Sequence, residues 1–146
     1  DGYEQGKKIS NEELLALECD FLIPAALGSA INDSNVDSLN CKVIIEAANG
    51  PVTGEAANKL WKRKIAIIPD ILTNAGGVTV SYFEWVQNLQ QFKWTEEEVN
   101  KKLEDKMVQA FKEVHDVKVK QKIPMRIASF MVAIDRVERS YTLRGG

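Results

Sequence analysis

The chain has 146 residues, of which 45% are hydrophobic and 27% are charged, and its formal net charge is −2. This composition is typical of one globular domain, and its Lys and Arg residues are dispersed, which argues against binding to nucleic acid or to an anionic membrane surface. No apolar run approaches the roughly 20 residues that a membrane-spanning helix needs, and the first ten residues do not resemble a signal peptide.

The first half of the chain predicts short strands that alternate with helices. Ser10 and Glu13 form a capping box that predicts a short helix, whose leucines at 14, 15 and 17 we expect to face inward. Residues 27–31 are expected to form a helical turn, and Thr53 is expected to cap a helix that ends near Lys64. Three continuously apolar runs predict strands, at residues 20–23, 42–47 and 65–68.

Buried parallel strands of this kind predict an α/β fold, namely part of a doubly wound parallel sheet of about three strands followed by long carboxy-terminal helices. A helix is predicted over 74–91, and its apolar positions recur at helical spacing, so we expect them to face the core: Val78, Tyr82, Trp85 and Leu89. A second capping box, Thr95 with Glu98, opens a long amphipathic helix, and Pro124 begins the last one.

The cysteines and the single histidine form no metal or redox motif. Cys19 and Cys41 each lie beside an apolar run, and His115 lies among charged residues with no second ligand nearby. We therefore expect two reduced, largely buried thiols, a reducing compartment such as the cytoplasm, and no metal site.

Each predicted strand is followed by a segment of small residues, at 24–26, 48–51 and 69–77. Ligands of doubly wound sheets bind outside the carboxyl ends of the strands. Asn49 and Asn74 offer donors and acceptors suited to a carboxamide or a ribose hydroxyl, and the helix that follows Gly76 and Gly77 favours an anion such as a carboxylate. Each pattern alone is common in ordinary turns, but their shared edge of the sheet favours a binding site.

Residues 73–88 (TNAGGVTVSYFEWVQN) resemble the start of the long helix in hexameric glutamate dehydrogenases. Residues 19–26 (CDFLIPAA), residues 46–51 (EAANGP) and the end of the last helix resemble further segments of that family, in the same order. Ala47 stands where the family more often has Gly, and Gly54 stands where Pro is usual. The resemblance implies a Rossmann-type dinucleotide-binding domain in a homo-oligomeric enzyme.

The resemblance also implies two groups of contact residues. The nicotinamide end of NAD or NADP would be contacted by Ala25, Ala26, Asn49 and Asn74. The substrate, glutamate or 2-oxoglutarate, would be contacted by Gly77, Val78 and Ser81, with the Ser81 hydroxyl on the side-chain carboxylate.

The catalytic lysine, its partner carboxylate and the Gly-rich phosphate loop of the family match no segment here, and we expect them upstream of Asp1. The chain therefore carries no catalytic residue by this interpretation, and the isolated chain is predicted to be inactive. Residues 1–72 would form the second half of the dinucleotide-binding domain, and residues 73–146 a helical segment that links to the substrate domain and closes onto it.

Two other functions remain open from the sequence. The chain could be a free-standing binding or regulatory module that docks through its long helices, or the dehydrogenase could act on another amino acid. The residue that distinguishes NAD from NADP would follow the first βαβ unit, which has no match in this sequence.

Overall fold

The computed structural model describes residues 6–145 and contains one sheet of three parallel strands in the order β1–β2–β3. The strands are β1 (Cys19–Leu22), β2 (Cys41–Ile45) and β3 (Ala66–Ile68). In register, Phe21 pairs with Val43 on β1 and β2. The three predicted strands and the α/β fold class are confirmed.

Two capped helices belong to the α/β half. Helix α1 (Asn11–Leu15) has the predicted capping box at Ser10, and α2 (Gly54–Lys62) has Thr53 as its N-cap. The expectation for the leucines at 14, 15 and 17 was wrong in part, because only Leu15 is buried and Leu17 lies beyond the end of this five-residue helix. Residues 27–31 form a turn that is not helical, so the expected helical turn is absent. Ile31 instead pairs with Val52 in an isolated parallel β-bridge.

The second half of the chain is helical. Its elements are α3 (Asp70–Thr73), α4 (Ala75–Gln90), α5 (Glu96–Gln121) and α6 (Met125–Leu143). The capping box of Thr95 and Glu98 is present at the start of α5. The predicted bounds of α4 and the predicted starts of α5 and α6 therefore agree with the structure to within about two residues. No helix among residues 6–145 is long and apolar enough to cross a membrane.

The hydrophobic core consists of two clusters. The larger cluster lies between the sheet, α1, α2 and the intervening loops, and its fully buried members are Ile31, Val36, Leu39, Ile44, Ala56 and Leu60. The smaller one lies where α3, α5 and α6 meet, at Leu72, Val114, Met125 and Ala128. The α/β half therefore closes a core of its own, and α5 and α6 pack beside it.

The apolar stripe of α4 does not face this core, so that prediction was wrong. The four side chains are largely exposed: Val78 70%, Tyr82 56%, Trp85 57% and Leu89 66%. The side of α4 that carries Gly76 and Phe83 faces α5 instead, with Phe83 in edge-to-face contact with Trp94. Helical periodicity alone identified an apolar face, but it did not identify the face that α5 covers.

The two thiols lie side by side in register on β1 and β2. Cys19 and Cys41 are free, as expected, but they are half-buried rather than largely buried. Burial raises the pKa of the Cys41 thiol, and the neighbouring Cys19 acts in the same direction. Because β1 is the first strand of the described sheet, its outer side has no paired strand among residues 6–145.

Candidate functional site

An open cleft of about 550 Å³ lies at the carboxyl ends of the strands. It forms where the segments after β1 and β2 meet the start of α4, the place at which parallel sheets bind ligands. Its walls consist of small side chains, two asparagines and two larger apolar residues: Ala26, Leu27, Gly28, Ala47, Ala48, Asn49, Asn74 and Val78. The small side chains leave main-chain atoms accessible to a flat ligand.

The two asparagines of the cleft are hydrogen-bonded to each other. The side-chain nitrogen Nδ2 of Asn74 donates to Oδ1 of Asn49 at 2.7 Å. Asn74 lies at the junction of α3 and α4, and Asn49 lies in the loop after β2. This bond leaves one amide nitrogen, on Asn49, and one amide oxygen, on Asn74, without a protein partner among the described residues.

The loops after β1 and β2 are joined by main-chain hydrogen bonds. The N–H of Ala48 donates to the carbonyl of Pro24 at 2.9 Å, and the N–H of Ser29 donates to the carbonyl of Gly50 at 2.8 Å. A Cβ atom added to Gly28 would lie only 3.3 Å from the carbonyl oxygen of Asn49. The two loops therefore form one wall, whose close approach depends on the missing side chain of Gly28.

Beneath this wall lies a charged network that the sequence analysis missed. Glu46 is fully buried, and its two oxygens accept from Nη2 of Arg126 at 2.5 and 2.6 Å. One of these oxygens also accepts the N–H of Asp70 at 3.0 Å. Burial raises the pKa of the Glu46 carboxyl, while the N–H of Asp70 and the Arg126 guanidinium oppose that rise. The sequence feature that could have indicated this network is Glu46 itself, a charged residue at the end of an apolar strand.

The structure brings together four of the seven residues that were predicted to contact the cofactor or the substrate. Ala26, Asn49, Asn74 and Val78 line the cleft. Ala25, Gly77 and Ser81 are exposed and lie outside its lining. The Ser81 hydroxyl donates to the carbonyl of Gly77 at 3.1 Å, one helical turn earlier in α4. Val78 and Ser81 are three residues apart and so share a face of the helix.

The described lining of the cleft contains no titratable side chain. Among residues 6–145 there is also no group of three or more His, Cys, Asp or Glu residues that could hold a metal ion. The groups that this cleft offers are neutral donors and acceptors, main-chain atoms and apolar contacts. Such groups can bind and orient a ligand, but they do not move protons at neutral pH.

Comparison with known proteins gives one consistent family. The sequence model of the family described as Glutamate/Leucine/Phenylalanine/Valine dehydrogenase matches residues 1–145. A glutamate dehydrogenase of Thermotoga maritima is 50% identical over 143 residues, which are 98% of this chain and 34% of that protein. An NAD-specific glutamate dehydrogenase of Staphylococcus aureus is 47% identical over 137 residues, which are 94% of this chain and 33% of that protein.

Solved structures give the same result. The chain is similar to glutamate dehydrogenase from Peptoniphilus asaccharolyticus with a TM-score of 0.80 and 45% identity, covering 84% of this chain and 31% of that one. It is also similar to the hetero-hexameric glutamate dehydrogenase of Thermus thermophilus, in its Leu-bound form, with a TM-score of 0.91 and 27% identity, covering 97% of this chain and 34% of that one. The chain thus spans about a third of the length of these relatives.

Proposed function

The chain belongs to the glutamate/leucine/phenylalanine/valine dehydrogenase family, and on that premise we propose that it is the carboxy-terminal part of an NAD- or NADP-dependent glutamate dehydrogenase. The whole enzyme would convert L-glutamate, NAD(P) and water to 2-oxoglutarate, ammonia and NAD(P)H. When bound, the cofactor supplies the hydride chemistry, and the protein binds and orients the reactants.

The observation that carries this proposal is the hydrogen-bonded asparagine pair at the edge of the sheet. The nitrogen that remains on Asn49 and the oxygen that remains on Asn74 are the complement of a carboxamide, which has one acceptor oxygen and one donor nitrogen. Ala25 and Ala26 would lie along the same cofactor. A nicotinamide ring is flat, and the small side chains of the cleft allow such a ring to approach the main chain.

The start of α4 would form the substrate end of the site. Gly77 and Val78 lie in its first turn, where unpaired main-chain N–H groups and the helix dipole favour an anion. The Ser81 hydroxyl would turn from the carbonyl of Gly77 to the side-chain carboxylate of glutamate. This proposal explains why the apolar Val78 is exposed beside the cleft: it would contact the aliphatic part of the substrate.

The proton-transfer groups would come from the remainder of the protein. The lining without titratable side chains supports this division, because imine chemistry requires an acid and a base. Residues 1–72 would then be the second half of the dinucleotide-binding domain, and residues 73–146 the helical segment that closes onto the substrate domain. We propose a homo-hexamer; the Thermus thermophilus relative is described as hetero-hexameric.

The test is glutamate-dependent reduction of NAD or NADP by the intact protein, with Ser81→Ala as the variant. Loss of a hydroxyl that binds a carboxylate should raise the KM for glutamate roughly 10- to 100-fold and leave the KM for the cofactor unchanged. Ser140→Ala is the matched control, because Ser140 makes the same kind of bond, to Arg136, on α6. An unchanged glutamate KM in Ser81→Ala would instead favour a dehydrogenase of another amino acid.

A further inference from the structure

We propose that Glu46, Asp70 and Arg126 are positioning residues for the cofactor, which hold Asn49 and Asn74 at the separation that a carboxamide requires. These three residues form an anchoring network beneath the cleft. The inference rests on the proposed function, and it extends that function to residues that do not themselves line the cleft.

Glu46 is the centre of the anchoring network. It follows β2 directly and lies three residues before Asn49. Its fully buried carboxylate is shared between Arg126 on α6 and the main-chain N–H of Asp70. A buried carboxylate is stable only when its partners satisfy it, so the end of β2 has one preferred position relative to α3 and α6.

Asp70 transmits that position to both asparagines. Its Oδ2 atom accepts the N–H of Gly50 at 2.7 Å, which fixes the loop immediately after Asn49. Its main-chain carbonyl accepts the N–H of Asn74 at 3.0 Å, which fixes the junction of α3 and α4. One residue therefore anchors both segments whose side chains meet above it.

The loop after β2 needs such anchors. It has no regular secondary structure from residues 46 to 51, and Gly50 adopts a φ of 54°, which few residues tolerate. Arg126 also lies 3.6 Å from Oδ1 of Asp70, so a single guanidinium compensates two carboxylates. Without this guanidinium the two carboxylates would be uncompensated neighbours, so Glu46 would take up a proton or the loop would move, and either change weakens the hold on the end of β2.

The first test is Arg126→Met in the intact protein, with direct titration of NAD or NADP alongside steady-state kinetics. Displacement of the asparagines should raise both the Kd and the KM of the cofactor by up to about tenfold, because their hydrogen bonds to the carboxamide would be weakened. The glutamate KM should change much less. Arg126→Lys should give an intermediate value, because lysine restores the charge but has one nitrogen where Arg126 uses Nη2 for Glu46 and Nη1 near Asp70.

Arg136→Met is the matched control. Arg136 also lies on α6 and also pairs with a glutamate, Glu113 of α5, but this pair lies outside the cleft and the anchoring network. It should leave the cofactor Kd unchanged. A merely structural role of Arg126 would reduce the amount of active enzyme without changing the Kd of the folded fraction, and equal Kd values for Arg126→Met and wild type would overturn the inference.

Asp70→Asn decides the question if Arg126→Met does not fold. Asp70 accepts two main-chain N–H groups, from Gly50 and Ile71, through different oxygens. Asparagine has a single acceptor oxygen, and the Arg126 guanidinium near Oδ1 favours that oxygen on the side of Ile71, so the bond from Gly50 is lost while Arg126 still pairs with Glu46. We expect a smaller rise in the cofactor Kd, in the same direction, and a wild-type Kd would overturn the inference. An intact wild-type protein that binds neither NAD nor NADP would overturn the proposed function and this inference together.

Discussion

The α/β half of the chain and its helical half bury their apolar side chains to very different extents. In residues 6–73, Ile31, Ile44 and Leu60 are fully buried in a cluster that the chain closes by itself. On α4 only Phe83 is buried, while Tyr82 and Trp85 are more than half exposed. The sheet therefore has the contacts it needs within the chain, whereas α4 presents an apolar face that the described residues leave open.

This difference suggests where the rest of the protein would lie. The relatives are about three times as long as this chain, and α4 begins beside the cleft. In the proposed enzyme, the open face of α4 would be directed to the substrate domain, so its aromatic residues would gain their contacts only in the whole protein.

The largest expected effect is in the sheet core. Ile44→Ala removes a fully buried side chain from β2 and should lower the free energy of unfolding of the 146-residue chain by about 2–5 kcal/mol. Leu143→Ala, at an 87% exposed position near the end of α6, is the control and should change it by less than about 0.5 kcal/mol. Urea denaturation measures both, and similar losses in the two variants would mean that the α/β half does not close its own core.

A second pair of substitutions separates the two faces of α4. Phe83→Ala should destabilise the 146-residue chain by about 3 kcal/mol, because Phe83 is buried against Trp94. Trp85→Ala, two residues away on the exposed face, should cost less than about 0.5 kcal/mol in the same chain. In the intact protein Trp85→Ala should cost more than in the 146-residue chain. An equal cost in the two proteins would show that nothing covers this face.

The smallest effect concerns the ion pair between α5 and α6. The hydrogen bond from Arg136, followed by that from Gln109, lowers the pKa of Glu113 below its usual value of 4.5. Stabilisation from a lowered carboxyl pKa is present above the usual value and is lost as the pH falls through the lowered one. The Arg136 and Glu113 side chains are 56% and 38% exposed, so solvent screens the pair and Arg136→Met should cost only about 0.5 kcal/mol or less at pH 7.

The acid limb of the unfolding curve checks that sign. The difference in unfolding free energy between Arg136→Met and wild type should shrink towards zero when the pH falls well below 4.5. A difference that grows in acid would mean that the ion pair is not its source.

Local chemistry made much of the fold predictable from the sequence. Ser10, Thr53 and Thr95 cap their helices through atoms within three residues of themselves, so a short segment contains the whole signal. The three strands are short, mostly apolar runs, β-branched in β2 and β3, and their parallel arrangement follows from the helical segments between them.

Contacts between distant residues were not predictable in this way. Glu46 and Arg126 are 80 positions apart, and nothing near either one indicates the other. The exposure of Tyr82 and Trp85 was missed for a related reason, since periodicity identifies an apolar face but not its neighbour. The proximity of Asn49 and Asn74 could be predicted, because both residues follow strands that end at the same edge of the sheet.

The most direct test of the proposed site is the affinity of the intact protein for NAD and NADP after Asn49→Ala. Loss of the Asn49 amide, which also leaves Asn74 without its partner, should weaken binding of the preferred cofactor roughly tenfold. Asn88→Ala, at an exposed position on α4 outside the cleft, should leave the affinity unchanged. Equal cofactor affinities in Asn49→Ala and wild type would contradict the assignment of this cleft to the nicotinamide.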